Sequence, residues 1–158
     1  MASVVADRSA VTAALGEPKR AGIEVLHRSK TVTILNLVWG PHMTVMPHNH
    51  YMWAVIGICG GREDNIFWRA LPDDARWPIE AAGASSLLPG DARTLGKDIN
   101  HSVTNPLGKL TGAPHVYGGD FLKQDRDEWH EETPRQGPYD AAKARRLFEE
   151  SNRDLEVG

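Results

Sequence analysis

Two histidines stand two residues apart in VMPHNHYMWAVIGICGG (Val45–Gly61), and an apolar run closed by glycines follows them directly. On a strand, residues i and i+2 point to the same face. His48 and His50 would therefore project side by side and share a target. Imidazole nitrogen is the commonest protein ligand for borderline metals such as iron, zinc, copper and nickel, so metal binding is the chemistry this spacing offers. The competing reading is a pair of rings on a half-exposed strand. Two ligands on one strand need at least a third from elsewhere, and His101, in KDINHSVTN, lies on a later candidate strand. A second pair at the same spacing, His115 and Tyr117 in HVYGGDF, shares a face for the same reason. It reads either as a hydrogen-bonded core pair or as part of a site. His27, His42 and His130 have no partner at ligand spacing and read as ordinary surface or core residues. The single cysteine, Cys59, excludes an internal disulfide framework and a cysteine-based zinc site. At the end of an apolar run it reads as a small buried hydrophobe.

The elements that must position these residues are mostly strands. IEVLHR (Ile23–Arg28) and TVTILNLVW (Thr31–Trp39) are rich in β-branched residues, and MWAVIGI (Met52–Ile58) is apolar at nearly every position, as a strand covered on both faces should be. NIFWRAL (Asn65–Leu71) is a further candidate. A charged, proline-containing loop, PDDARWPIEAAG, precedes the short candidates ASSLL, ARTLG, INHSVTN and GAPHVYG. The 15 glycines and 10 prolines punctuate the chain at short intervals, and many short strands with regular turn signals argue for an antiparallel sandwich or barrel. SAVTAALGEP (Ser9–Pro18) predicts a short helix capped by Ser9 and stopped by Gly16 and Pro18. YDAAKARRLFEESNRDLE predicts a C-terminal helix, with Asp140 as its cap and Ala141, Ala144, Leu147 and Phe148 on one face.

The 158 residues fit one domain of ordinary size, and 41% hydrophobic with 25% charged residues is enough to bury a core. A net charge of −3 gives no support for nucleic-acid binding or attraction to anionic membranes. The apolar runs are too short to span a bilayer, and the N-terminus lacks the hydrophobic block of a secretory signal. The expectation is a single cytoplasmic domain over residues 1–158, with a barrel core at about 22–122 and a helix at about 140–154.

The order HNH, apolar strand, GG turn, then LLPGD (Leu87–Asp91) and INHSVTN resembles the two-part motif of the cupin superfamily. His48 and His50 match its His-x-His, and His101 with Asn105 matches its second part. The resemblance covers roughly Trp39 to Phe121. It implies an all-β fold, the cupin double-stranded β-helix or jelly-roll barrel, flanked by short N-terminal and C-terminal helices, with a metal inside one mouth held by His48, His50 and His101. Many cupins carry a glutamate ligand soon after His-x-His, whereas this chain has YMWAVI.

Three neutral histidines resemble the thiol dioxygenases, the cysteine and 3-mercaptopropionate dioxygenase group, and HVYGGDF resembles their Ser-x-His-x-Tyr network. That implies a non-haem Fe(II) enzyme, another divalent metal being the alternative, that oxidises a small thiol with O2 to a sulfinic acid. His115 and Tyr117 would be the catalytic outer-sphere pair, and Arg126 the anchor for a substrate carboxylate. Arg126 in KQDRDE also reads as an exposed ion pair. Trp53 and Trp68 are candidate pocket walls or core, and Asp98 is a candidate acceptor behind His101. Two departures stand out: the network serine is Ala113, and position 55 is Val where animal cysteine dioxygenases carry a crosslinking cysteine. Two other readings stay open. One is another metal-dependent cupin enzyme, an isomerase, lyase or carbon-oxidising dioxygenase. The other is a non-catalytic metal- or ligand-binding cupin. Small cupins often pair through their sheets, so a homodimer is a further expectation.

Overall fold

The structure is a computed structural model that describes residues 1–71, 78–130 and 136–157. Two short helices, α1 (Ala2–Ala6) and α2 (Arg8–Leu15), precede the strands β1 (Gly22–Arg28), β2 (Thr33–Trp39), β3 (Thr44–Asn49), β4 (Ala54–Gly57), β5 (Glu63–Ala70) and β6 (Ile79–Leu87). Then follow β7 (Ala92–Leu95), β8 (Asn100–Thr104), β9 (Thr111–Tyr117), β10 (Asp127–Trp129), β11 (Gln136–Pro138) and the helix α3 (Ala141–Val157). The strands form a five-stranded sheet in the order β1-β2-β9-β4-β7 and a six-stranded sheet in the order β11-β10-β3-β8-β5-β6, with antiparallel neighbours throughout. Period-2 alternation produces this arrangement. Leu35, Leu37 and Trp39 of β2 are buried together with Ala54 and Ile56 of β4, and they meet Val45 of β3 and Val103 of β8 in one core. No helix of the described residues is long and apolar enough to cross a membrane.

Several expectations shift. Asp7, not Ser9, caps α2 by accepting from the Ala10 N–H at 2.9 Å, because the helix starts at Arg8. Gly16 ends it with φ +79°, a conformation that costs glycine little. The strand expected from Met52 begins only at Ala54. Of the charged loop, 72–77 lies outside the described residues, while Ile79–Gly83 belongs to β6 and pairs with β5. The barrel extends past residue 122, since β10 and β11 add two strands beside β3.

The C-terminal helix keeps its expected cap, Asp140 accepting from the Lys143 N–H at 2.9 Å. Phe148 stacks on Trp39 with centroids 5.6 Å apart. The Asn152 amide latches the helix to the chain ahead of β1, accepting from the Ala21 N–H at 2.7 Å and donating to the Ala21 carbonyl at 2.9 Å. At Gly40 the helix comes so near that an added Cβ would lie 1.7 Å from Ser151 Oγ. Glycine is required there for close approach rather than for a turn.

Candidate metal centre

The pairing of β3 with β8 puts His48 directly opposite His101, and side chains at directly opposed positions meet. β3 ends at Asn49, whose Oδ1 accepts from the Asp127 N–H at 2.9 Å and ties the strand end to β10. The chain then bends, with Tyr51 at φ +51°. His50 thus sits one residue past the strand rather than on it, yet all three rings converge. His50 Nε2 lies 3.3 Å from His48 Nε2 and 3.3 Å from His101 Nε2.

The partners of the other ring nitrogens decide what this convergence means. His48 Nδ1 lies 2.9 Å from the Met46 carbonyl, which can only accept, so Nδ1 carries the proton. His101 Nδ1 lies 2.7 Å from Asn65 Oδ1. Asn65 is oriented by its own amide, which donates to Glu63 Oε1 at 2.9 Å, so His101 Nδ1 is also a donor. Both rings are left with bare Nε2 lone pairs pointing at one spot. Burial pushes His48 down to about 4 and His50 and His101 well below their ordinary value. Facing lone pairs in a dry interior are costly without a cation. Metal–imidazole bonds of about 2.0–2.1 Å separate ligand nitrogens by about 2.8–3.0 Å at right angles and about 3.3–3.4 Å at tetrahedral angles, and the two 3.3 Å separations here fit the latter. The cluster is a three-histidine site able to hold a divalent metal ion, and ring orientation from behind is what such sites use.

A cavity of about 380 Å³ reaches His48 of this cluster and is lined also by Tyr117, Phe121, Arg126, Tyr139 and Phe148 among others. Tyr117 packs edge-on to His50, with centroids 5.1 Å apart, and stacks on Phe121. Its hydroxyl lies 2.9 Å from His115 Nδ1. Burial pushes that hydroxyl well up, so it stays protonated at neutral pH. Arg126 makes no exposed ion pair. Its guanidinium lies 4.1 Å from the Phe121 centroid and 4.0 Å from that of Tyr139. It forms no salt bridge among the described residues, and its Nε is buried without a hydrogen-bond partner.

Two participants were not anticipated from the sequence. Tyr139, at the start of α3, supplies one face of the Arg126 sandwich. Glu63 on β5 is fully buried, accepting from Trp39 Nε1 at 2.7 Å and from Asn65, with His115 Nε2 at 3.5 Å. Burial would push its carboxyl up, but His115, Asn65 and Trp39 outweigh that and hold it below the usual range. Other expected contributors lie elsewhere. Trp53 is 47% exposed and packs over Gly118, and Trp68 donates to Ser102 Oγ. Asp98 is exposed, and Asn65 takes the place behind His101 suggested for it. Asn105 braces the β8–β9 turn, donating to the Gly40 and Lys109 carbonyls. Cys59 is half-buried and donates to the Gly112 carbonyl. It lines a separate hollow of about 440 Å³ beside α2 that contains none of the three histidines.

No family model matches the sequence. Among solved structures, the chain is similar to an RmlC-like cupin family protein with a double-stranded β-helix fold from Methanocaldococcus jannaschii, with TM-score 0.54, 13% identity, and 68% of this chain and 87% of that chain covered. A cupin superfamily protein from Desulfitobacterium hafniense gives TM-score 0.51 and 16% identity over 68% of this chain and 87% of that one. A DMSP lyase from Ruegeria pomeroyi gives TM-score 0.51 and 16% identity over 68% of this chain but 50% of that one. At these identities the likeness shows the fold, which is the cupin double-stranded β-helix with flanking helices, as the sequence resemblance implied.

Proposed function

We propose that the chain is a metal-dependent cupin enzyme acting on a small organic carboxylate, in a lyase or isomerase type of reaction. His48, His50 and His101 are the metal ligands, Arg126 holds the carboxylate and Tyr117 handles a proton beside the metal. The observation that carries this reading is Arg126, a largely buried cation that has no salt bridge among the described residues and lines the same cavity as His48 and Tyr117. A buried charge without a partner is costly, and a planar guanidinium held between two rings is preorganised for a carboxylate. A divalent metal at the histidines supplies Lewis acidity, and iron would add redox chemistry. The chain's residues do the rest. Arg126 fixes one end of the substrate, Phe121 and Phe148 exclude water, and Tyr117 exchanges a proton at its hydroxyl oxygen. The fold is one that, in the DMSP lyase, houses a lyase, which favours the non-oxidative chemistry.

A second reading, thiol dioxygenation with Fe(II) and O2, is favoured by two observations: the donor set contains no carboxylate, and His115 is bonded to Tyr117. The test separates the two. Protein loaded in turn with zinc, manganese, nickel and iron is offered a panel of small carboxylates, with and without a thiol, while oxygen uptake and products are followed. Turnover without oxygen, retained with a redox-inert metal, supports the lyase–isomerase reading. Uptake of oxygen that needs both iron and a thiol replaces it with the second. Tight metal binding with no turnover of any kind removes both and leaves a binding role.

A further inference from the structure

Glu63 and His115 belong to different sheets, β5 in the six-stranded and β9 in the five-stranded one, and they meet across the core. We propose that Glu63 is a positioning residue that fixes the proton on two imidazoles at once: on Nε2 of His115 directly, and on Nδ1 of His101 through Asn65. The carboxylate is 0% exposed, and its partners among the described residues, Trp39, Asn65 and His115, are donors or can be. Trp39 Nε1–H and the Asn65 amide take one oxygen each, at 2.7 and 2.9 Å. His115 Nε2 is buried, has no hydrogen-bond partner among the described residues, and has Glu63 Oε2 at 3.5 Å. A bare Nε2 there would set a lone pair against a buried carboxylate, with nothing to offset the repulsion. A protonated Nε2 gains an acceptor instead. The same carboxylate turns the Asn65 amide so that its oxygen faces His101, which leaves His101 Nε2 free for the metal cluster.

The consequence concerns Tyr117. With the proton on Nε2, His115 Nδ1 is an acceptor, so the Tyr117 O–H at 2.9 Å donates to it. The tyrosine oxygen then offers lone pairs to the cavity and acts there as a hydrogen-bond acceptor. The same arrangement also accounts for Ala113. His115 is held from its Nε2 side by a carboxylate, so a serine hydroxyl at the 0% exposed position 113 is not required. What this means for catalysis rests on the function proposed above, whereas the proton positions do not.

The experiment is long-range ¹H–¹⁵N NMR of the full chain, with and without zinc, which is diamagnetic. His115 is expected as the Nε2–H tautomer and His101 as Nδ1–H. In Glu63→Gln, His115 is expected to become a tautomer mixture, with zinc affinity falling about 10- to 100-fold. In Asn65→Ala, zinc affinity is expected to fall while the His115 tautomer is retained. A wild-type His115 protonated on Nδ1, or on both nitrogens, overturns the proposal, and that result needs no variant to fold. So does a folded Glu63→Gln that keeps both the tautomer and the zinc affinity. A chain that turns over no carboxylate but shows Nε2–H at His115 removes the proposed function and leaves this assignment standing.

Discussion

Arg126 is the residue at which the functional reading is most exposed to test. Replacing it by Gln removes the charge but retains much of the stem between Phe121 and Tyr139. The carboxylate loses a charge-assisted, bidentate partner, so KM for the best substrate is expected to rise about 10- to 100-fold, with a smaller change in kcat. Arg126→Lys keeps the charge but lacks the planar fork and should fall between the two. Steady-state kinetics decide, and an unchanged KM in Arg126→Gln would remove the carboxylate anchor. His101→Ala takes one of three ligands, and metal content after dialysis should fall well below one ion per chain.

The sequence made some of these residues legible and hid others, for physical reasons. His48 and His50 could be read because i, i+2 spacing carries to a common face. The pairing that brings His101 opposite His48 is a long-range register that no local pattern encodes. Glu63 was hidden inside GREDNIF, where a charged run looks like a solvated turn. Its signal was alternation: Glu63, Asn65 and the partly buried Phe67 lie on one face of β5. Arg126, in KQDRDE, sits in a charged run that reads as a solvated segment, and the stacking of Phe121 and Tyr139 on its guanidinium is not encoded there.

Among the elements, α3 is the one whose attachment governs the site, because Tyr139, Ala141, Ala144 and Phe148 line the cavity from it or from its start. Its amphipathic face was visible in the sequence, but its seat on Trp39 and against Gly40 was not. Phe148→Ala removes a side chain that is 6% exposed and stacked at a 15° interplanar angle. It is expected to cost about 3–5 kcal/mol in urea unfolding. Gly40→Ala drives a methyl group into Ser151, so it should destabilise the chain and loosen the helix. Ser151→Gly in the same chain removes the atoms 1.7 and 2.6 Å from that methyl and should restore most of the loss. A double-mutant cycle that shows no coupling would mean the helix does not bear on Gly40. The β strands of alternating apolar residues were legible for the opposite reason, since their pattern is local. β10 and β11 are three residues each, with Asp127, Glu128 and Gln136 among them, and carry no period to read.

For the whole molecule, the histidine cluster ties stability to pH and to metal together. In the metal-free chain the rings must stay neutral to remain packed. His48 has a folded-state value of about 4 against 6.5 when unfolded. Between those values the unfolded chain binds more protons than the folded one, so stability rises with pH across this window and is lost as pH falls from about 6.5 towards 4. His48 by itself accounts for on the order of 3 kcal/mol over that range, and His50 and His101 act in the same direction. Glu63 adds to the loss lower down, because its depressed carboxyl stabilises the fold only while ionised. A metal bound at the three rings stabilises by mass action, about 2.7 kcal/mol at a hundredfold excess over Kd, or roughly 5–10 °C in Tm for a chain of this size. Protons compete for the same nitrogens, so that increment should shrink in the same pH window. Thermal unfolding from pH 8 to 4, in chelator and in excess zinc, should therefore give two curves that are well separated at high pH and merge as pH falls. His48→Ala should flatten the upper part of the chelator curve. Curves that coincide at high pH would mean that the three rings hold no metal, and a metal-free Tm that does not move between pH 7 and 5 would mean that they do not bear on the stability of the barrel.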